Sequence, residues 1–143
     1  MGTDRGEWIG RLVFEAQDRT RQTVLSQNVA GIVRNPSGVY AFTGLAHLGT
    51  YEGFIYRVAP ASDGRVTANL LGRLPGTPSN LVQDAQHVTN FLVSTGQLDS
   101  AGREVFRCLR LVRESVQPGH ACLPPRRLGS NNSSKPTPLR GAA

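Results

Sequence analysis

The stretch "GVYAFTGLAHLGTYEGFIYRV" (residues 38–58) holds two apolar, aromatic runs joined by small residues. "VYAFTGL" (39–45) and "GFIYRVA" (53–59) read as strands, because β-branched and aromatic side chains suit a pleated, half-buried surface. "AHLGTYEG" (46–53) reads as the loop between them, on the strength of Gly49 and Gly53. A similar phrase returns as "HVTNFLVSTGQLDSAGREVFRCLRL" (87–111). There "VTNFLVSTG" (88–96) and "EVFRCLRLVRE" (104–114) are the strands, and "QLDSAGR" (97–103) is the loop.

Outward from this stretch the signals stay those of short strands and tight turns. "NPSG" (35–38) is a turn in which Pro36 sets φ and Gly38 tolerates a positive value. "PASDG" (60–64) is a hairpin turn marked by Asp63-Gly64. "RVTANLLGRL" (65–74) alternates like a strand. "PGTPSN" (75–80), with two prolines, is expected to lie outside regular structure. "NLVQDAQH" (80–87) gives a brief strand and a turn. On the N-terminal side, "EWIGRLVFEAQ" (7–17) holds a strand weighted by Trp8, Ile9, Leu12, Val13 and Phe14. "DRTR" (18–21) is a turn, and "QTVLSQ" (22–27) and "AGIVRN" (30–35) are further strands. The best helical alternative is 102–115, where Val105, Leu109 and Val112 stand at i, i+4 and i+7. The strand reading is preferred there because the segment matches the earlier ones.

Aligned on one another, the pieces suggest an internal repeat. Arg11 falls on Arg57, and Val24-Leu25 on Leu70-Leu71, at a spacing of 46. Thr43-Gly44 falls on Thr95-Gly96, and Phe54 on Phe106, at a spacing of 52. The unit is then four short strands in about fifty residues, which is the period of propeller blades. In "NPSGVYAFTG", "GFIYRVAPASDGRV" and "LLGRLPGTPSNLVQD" the chain resembles a β-propeller repeat protein, over residues 8–112. It has no Trp-Asp dipeptide at a blade end and no paired-glycine kelch signature, so the resemblance carries over no catalytic residues. A closed ring needs at least about four blades, and this chain has length for about two. The expectation is therefore an all-β fold of antiparallel four-stranded repeats: a partial β-propeller, or a small β-meander or sandwich. Open rims would call for self-association or for further blades.

The domain plan is a loose N-terminus (1–6), a β-repeat domain (7–117) and a Pro/Ser/Arg-rich tail (118–143). The tail has no aromatic residue, and its composition favours disorder, from about 124 onward. A chain of 143 residues suits one domain, and 16 Gly with 9 Pro suit many turns. The net charge is +6, and fifteen of the sixteen basic residues are arginine. The densest group is Arg103, Arg107, Arg110 and Arg113, followed by Arg126 and Arg127. These read first as a solvated strand face and a basic tail. The alternative, an anion or nucleic-acid patch, lacks interleaved exposed aromatics and is disfavoured.

Candidate chemistry is sparse. His47, Tyr51 and Glu52 share the loop at 46–53, and loops between strands are where ligands are met. They are the candidate binding residues, although exposed turn polars are the plainer reading. Cys108, His120 and Cys122 fall short of a four-ligand structural zinc set, so no metal is assigned. A Cys108–Cys122 disulfide would need an oxidising compartment. Asn131-Asn132-Ser133-Ser134 carries a glycosylation acceptor pattern but reads as a polar tail. There is no Gly-x-Ser-x-Gly, phosphate loop or dinucleotide fingerprint, and no cofactor is expected. With no signal peptide or membrane span seen, the expected location is the cytoplasm. The expectation is a non-catalytic β-repeat module for a ligand or an unknown partner. The alternatives are a remnant or subunit of a propeller-type hydrolase, and electrostatic nucleic-acid binding.

Overall fold

The computed structural model describes residues 1–2 and 10–123. Trp8 and Ile9, placed above in the first strand, and the tail 124–143 lie outside the described residues. Among the described residues there are ten strands and no helix. β1 (Leu12–Glu15) and β2 (Arg21–Leu25) form a hairpin. β3 (Val29–Asn35), β4 (Gly38–His47), β5 (Thr50–Pro60) and β6 (Val66–Leu74) form a four-stranded sheet in chain order. β7 (Thr77–Gln83), β8 (Thr89–Leu98), β9 (Glu104–Val112) and β10 (Ser115–Pro118) form a second one, also in chain order. Among the described residues all the strand pairs are antiparallel, and no sheet closes on itself.

Side-chain alternation along β4 explains how the layers stack. Tyr40 and Phe42 point toward the second sheet. With Ile55 and Leu74 they meet Phe91, Val93 and Leu111, all at most 4% exposed. The Phe42 and Phe91 rings meet edge to face at 5.0 Å, a favourable arrangement of ring quadrupoles. Ala41 points the opposite way, to Leu12 and Val29, with Val24, Leu25 and Val58 around them. A strand buried on both faces reads as a continuous apolar run rather than an alternating one, which is why "VYAF" does.

The hairpin is held to the first sheet by an amide as well as by apolar contact. Gln22 Nε2 donates to Val66 O at 2.6 Å, and Val66 N donates to Gln22 Oε1 at 3.0 Å. One side chain thus reproduces the paired hydrogen bonds of a strand rung. Met1 adds to the free edge of β1: Val13 N donates to Met1 O at 2.7 Å, and the terminal ammonium donates to Val13 O.

Four turns share one geometry. In 16–20, 61–65, 84–88 and 99–103 the first N–H donates to the fifth carbonyl, and the fourth N–H donates to the first carbonyl. The fourth residue has positive φ in each: Arg19, Gly64, His87 and Gly102. An Asp carboxylate accepts backbone N–H groups in every one.

These turns correct the alignment read from sequence. Ala16 stands where Ala61 stands, so the spacing is 45 and Arg11 falls on Tyr56, not Arg57. Phe42 pairs with Ile55, and Ser94 pairs with Phe106. Phe106 therefore occupies the place of Ile55 rather than of Phe54. The slip arises because the β4–β5 turn has two residues, whereas β8–β9 has a five-residue turn and an irregular register between Ser94 and Leu98. A one-residue slip moves a side chain to the opposite face.

Three further readings change. The loop at 46–53 shrinks to Leu48-Gly49, because β4 and β5 pair without a break from Val39↔Val58 to His47↔Thr50. "TPSN" within 75–80 belongs to β7. Pro78 is tolerated because β7 is an edge strand, and Asn80, at φ 50°, sits in its bulge. Residues 102–115 hold β9, in keeping with the preferred strand reading. β10, and with it Pro118, extends the second sheet by a strand that was not foreseen.

Candidate functional site

The β4–β5 hairpin separates the three residues singled out from sequence. Leu45, His47, Glu52 and Phe54 fall on the face that also carries Ala41 and Thr43, whereas Tyr51 falls on the opposite face. Tyr51 lies against β8: a Cβ placed on Gly96 would come within 2.2 Å of its ring. Gly96 also has φ 75°, so both space and backbone ask for glycine there. Tyr51 is thus a contact between sheets. The Leu48-Gly49 turn has positive φ at both residues, as a two-residue hairpin of this twist requires.

Glu52 faces a cavity of about 240 Å³. The cavity lies between the β4–β5 hairpin and the link from β2 to β3. Its walls are Thr43, Leu45 and Phe54 on one side and Ser26, Gln27 and Asn28 on the other. Neither His47 nor Tyr51 lines it.

The polar groups around the cavity are held in place. Thr43 Oγ1 donates to Gln27 Oε1 at 2.8 Å, and Gln27 Nε2 donates to the Tyr56 hydroxyl at 2.9 Å. Asn28 Oδ1 accepts from Gly10 N at 2.6 Å, and Asn28 O accepts from Gly44 N at 3.1 Å. Thr43 and Asn28 are 1% and 8% exposed, so they form a fixed floor. At the rim, Arg73 approaches Glu52 Oε1 at 3.5 Å and lies 5.9 Å above the Phe54 ring centroid. Both ionic side chains remain substantially solvated, so their attraction is modest. The site offers a carboxylate with a cation beside it, fixed amides and hydroxyls, and one aromatic wall. That set can hold a small polar molecule that has an apolar face.

Gln27, Asn28, Thr43 and Phe54 were not singled out from sequence. They come from two segments and share no spacing motif. The only hint was the polar run "SQN" between two strands.

The arginines do not form one patch. Arg107 is opposite Val93 and faces the first sheet, while Arg110 is opposite Asn90 and faces outward. Arg103 pairs with Asp99 at 2.9 Å, and Arg113 sits in the β9–β10 turn. Arg126 and Arg127 lie outside the described residues. Cys108 and Cys122 form a disulfide, so neither sulfur is open to a metal while the bond stands.

No helix among the described residues is long and apolar enough to cross a membrane. Comparison of the chain with protein-family models, curated proteins and solved structures finds no match.

Proposed function

We propose that this chain is a non-catalytic β-module that binds a small ligand in the cavity beneath the β4–β5 hairpin. In this reading its two four-stranded sheets are successive blades of propeller type. The observation that carries the binding reading is the cavity itself: about 240 Å³, with Phe54 as a wall, Glu52 at the rim and a hydrogen-bonded floor. The blade reading is supported by two consecutive four-stranded meanders stacked face to face.

The chemistry of the site favours holding over turnover. The Thr43 hydroxyl is directed to an amide oxygen rather than to a base. Glu52 stands 3.5 Å from the Arg73 guanidinium at the solvated rim, where the pair is placed to anchor a polar ligand.

The test is a thermal-shift screen of small neutral and charged metabolites, followed by calorimetry. Hits are expected to weaken at least ~10-fold in Phe54→Ala, the loss of one good apolar wall. Hits indifferent to Phe54→Ala and Glu52→Gln would remove the site. Turnover of an ester, lactone or glycoside that vanished in Glu52→Gln would replace binding with catalysis.

A further inference from the structure

The two ends of the stack are finished differently. At the hairpin end, Phe14 and Ile32 stay 42% and 44% exposed. They border an apolar groove of about 140 Å³ shared with Met1, Val39 and Val58. At the other end, no described sheet packs on the outer face of β7–β10. Yet Leu92 and Asn90, which point outward because Phe91 and Val93 point in, are only 6% and 8% exposed.

A return of the chain crosses this face. Cys108 stands opposite Leu92 and so shares the outer face. After β10, Gly119 N donates to Cys108 O at 3.0 Å. Cys122 is bonded to Cys108, and its sulfur lies 3.1 Å from the Phe91 carbonyl oxygen. The segment 119–122 therefore crosses from β9 toward β8. Gly119 is needed at the crossing: a Cβ there would lie 2.9 Å from the Leu109 carbonyl carbon and 3.0 Å from Cys108 Sγ.

We infer that residues 119–122 form a covalent strap that caps the outer face of the second sheet in place of a further sheet, and that the chain acquires this cap in an oxidising compartment. Terminal units of stacked-sheet proteins need such a cover. The expected cytoplasmic location gives way to one where thiols oxidise. Closing the bond removes two protons and two electrons from Cys108 and Cys122. A disulfide of the glutathione class, or of a thiol oxidoreductase, accepts them and leaves as two thiols. Reduction reverses the step and uncovers Leu92 and Asn90. With the strap closed, the face is unavailable to a second copy of the chain. The inference is independent of any ligand in the cavity.

The test uses the full chain, treated with oxidised glutathione and then with dithiothreitol. Peptide mapping without reductant is expected to recover Cys108 and Cys122 as one linked peptide. On reduction, exchange of the Gly119 amide is expected to accelerate on the order of 100-fold, the scale of a lost loop closure of this length. The Leu92 methyl resonances should shift while those of Val93 stay in place. Cys122→Ser should behave as the reduced protein does, and titration of the unaltered chain gives the same readout if that variant does not fold. Free thiols after oxidation would overturn the inference. So would a Gly119 amide and Leu92 methyls indifferent to reduction. Loss of the Val93 signals together with those of Leu92 would also overturn it, because the bond would then hold the whole fold and not one face.

Discussion

Corresponding faces of the two sheets carry different chemistry. Toward its neighbour, the first sheet presents Tyr40, Phe42 and Ile55, all fully buried. At the spacing of 52 that sets Thr43 on Thr95, the second sheet presents Leu92 and Ser94, with Phe106 opposite Ser94. Here the Ser94 hydroxyl donates to the Glu104 carboxylate. Where the first sheet has two rings and an isoleucine, the second has one aliphatic side chain, one hydroxyl and one partly buried ring. The first face is built to meet another sheet. The second is built to meet a short strap and water. The same strand order can thus serve an interior layer or an end, and the side chains at a few outward positions decide which.

The largest effect should come from breaking the interior face. Phe42→Ala removes a fully buried ring from the contact with Phe91 and is expected to cost about 3–5 kcal/mol. Leu92→Ala, at the strapped end, should fall near about 2 kcal/mol, the low end of its class, because one side of its pocket can collapse. Chemical denaturation of the two variants measures the contrast. Equal losses would mean that the strapped face is packed as tightly as the interior one. Next in size is Gly76→Ala. The added Cβ would lie 2.0 Å from Ser94 O, in the link between β6 and β7. Relief requires backbone movement, with an expected cost of about 1–3 kcal/mol. A wild-type midpoint for Gly76→Ala would show that the link can shift freely.

The contrast between faces also explains what the sequence revealed. The β5–β6 turn was legible because Asp63-Gly64 combines a side-chain acceptor with a residue tolerant of positive φ. A turn is also read at the end of 80–87, but its geometry was not legible, because His87 adopts the positive φ without a glycine. β10 was missed because "SVQP" carries one apolar residue and ends in proline. Its place is secured by pairing with β9, not by propensity. The candidate loop misled for a related reason. Gly53 suggested a loop, but its lack of a side chain serves a close approach instead: a Cβ there would lie 2.1 Å from Gly76 O. Of the residues lining the cavity, Glu52 alone is a binding candidate in the sequence. The floor comes from the link at 26–28, which only the folded chain brings beside Thr43.

A smaller effect concerns the latch that joins the sheets at the end away from the cavity. Tyr40 Oη donates to Glu114 Oε1 at 3.1 Å, and Arg57 approaches the same oxygen at 3.0 Å. Burial first, and the Glu114 carboxylate second, raise the Tyr40 pKa above 10.0. A raised folded-state value means that the stability it contributes is complete below the unfolded pKa and is lost as pH rises through the folded one. Alkaline unfolding is therefore expected to steepen above pH 10. Tyr40→Phe should remove that component at a cost of about 1 kcal/mol near neutral pH, the worth of one hydrogen bond. An unchanged alkaline limb in Tyr40→Phe would mean that the two sheets are not coupled through this hydroxyl.

The smallest effect separates the two halves at acid pH. The Asp99 carboxylate is held below its ordinary value of 3.8, chiefly by the Arg103 backbone N–H, and that of Asp18 chiefly by the Thr20 hydroxyl. For a depressed folded-state value the sign is reversed. The contribution is present above the ordinary carboxylate value and disappears as pH falls through the lowered one. Asp99 closes the β8–β9 turn inside the second sheet, whereas Asp18 closes the outlying hairpin. Exchange measured from pH 5 to pH 2 should therefore show the 16–20 turn opening alone, while opening at 99–103 loosens Ser94 and Phe106 with it. Asp99→Asn should flatten the acid response of the second sheet and leave that of the hairpin intact. A hairpin that responded equally to Asp99→Asn would mean that acid acts on the stack as one unit, and that its two ends are not independent.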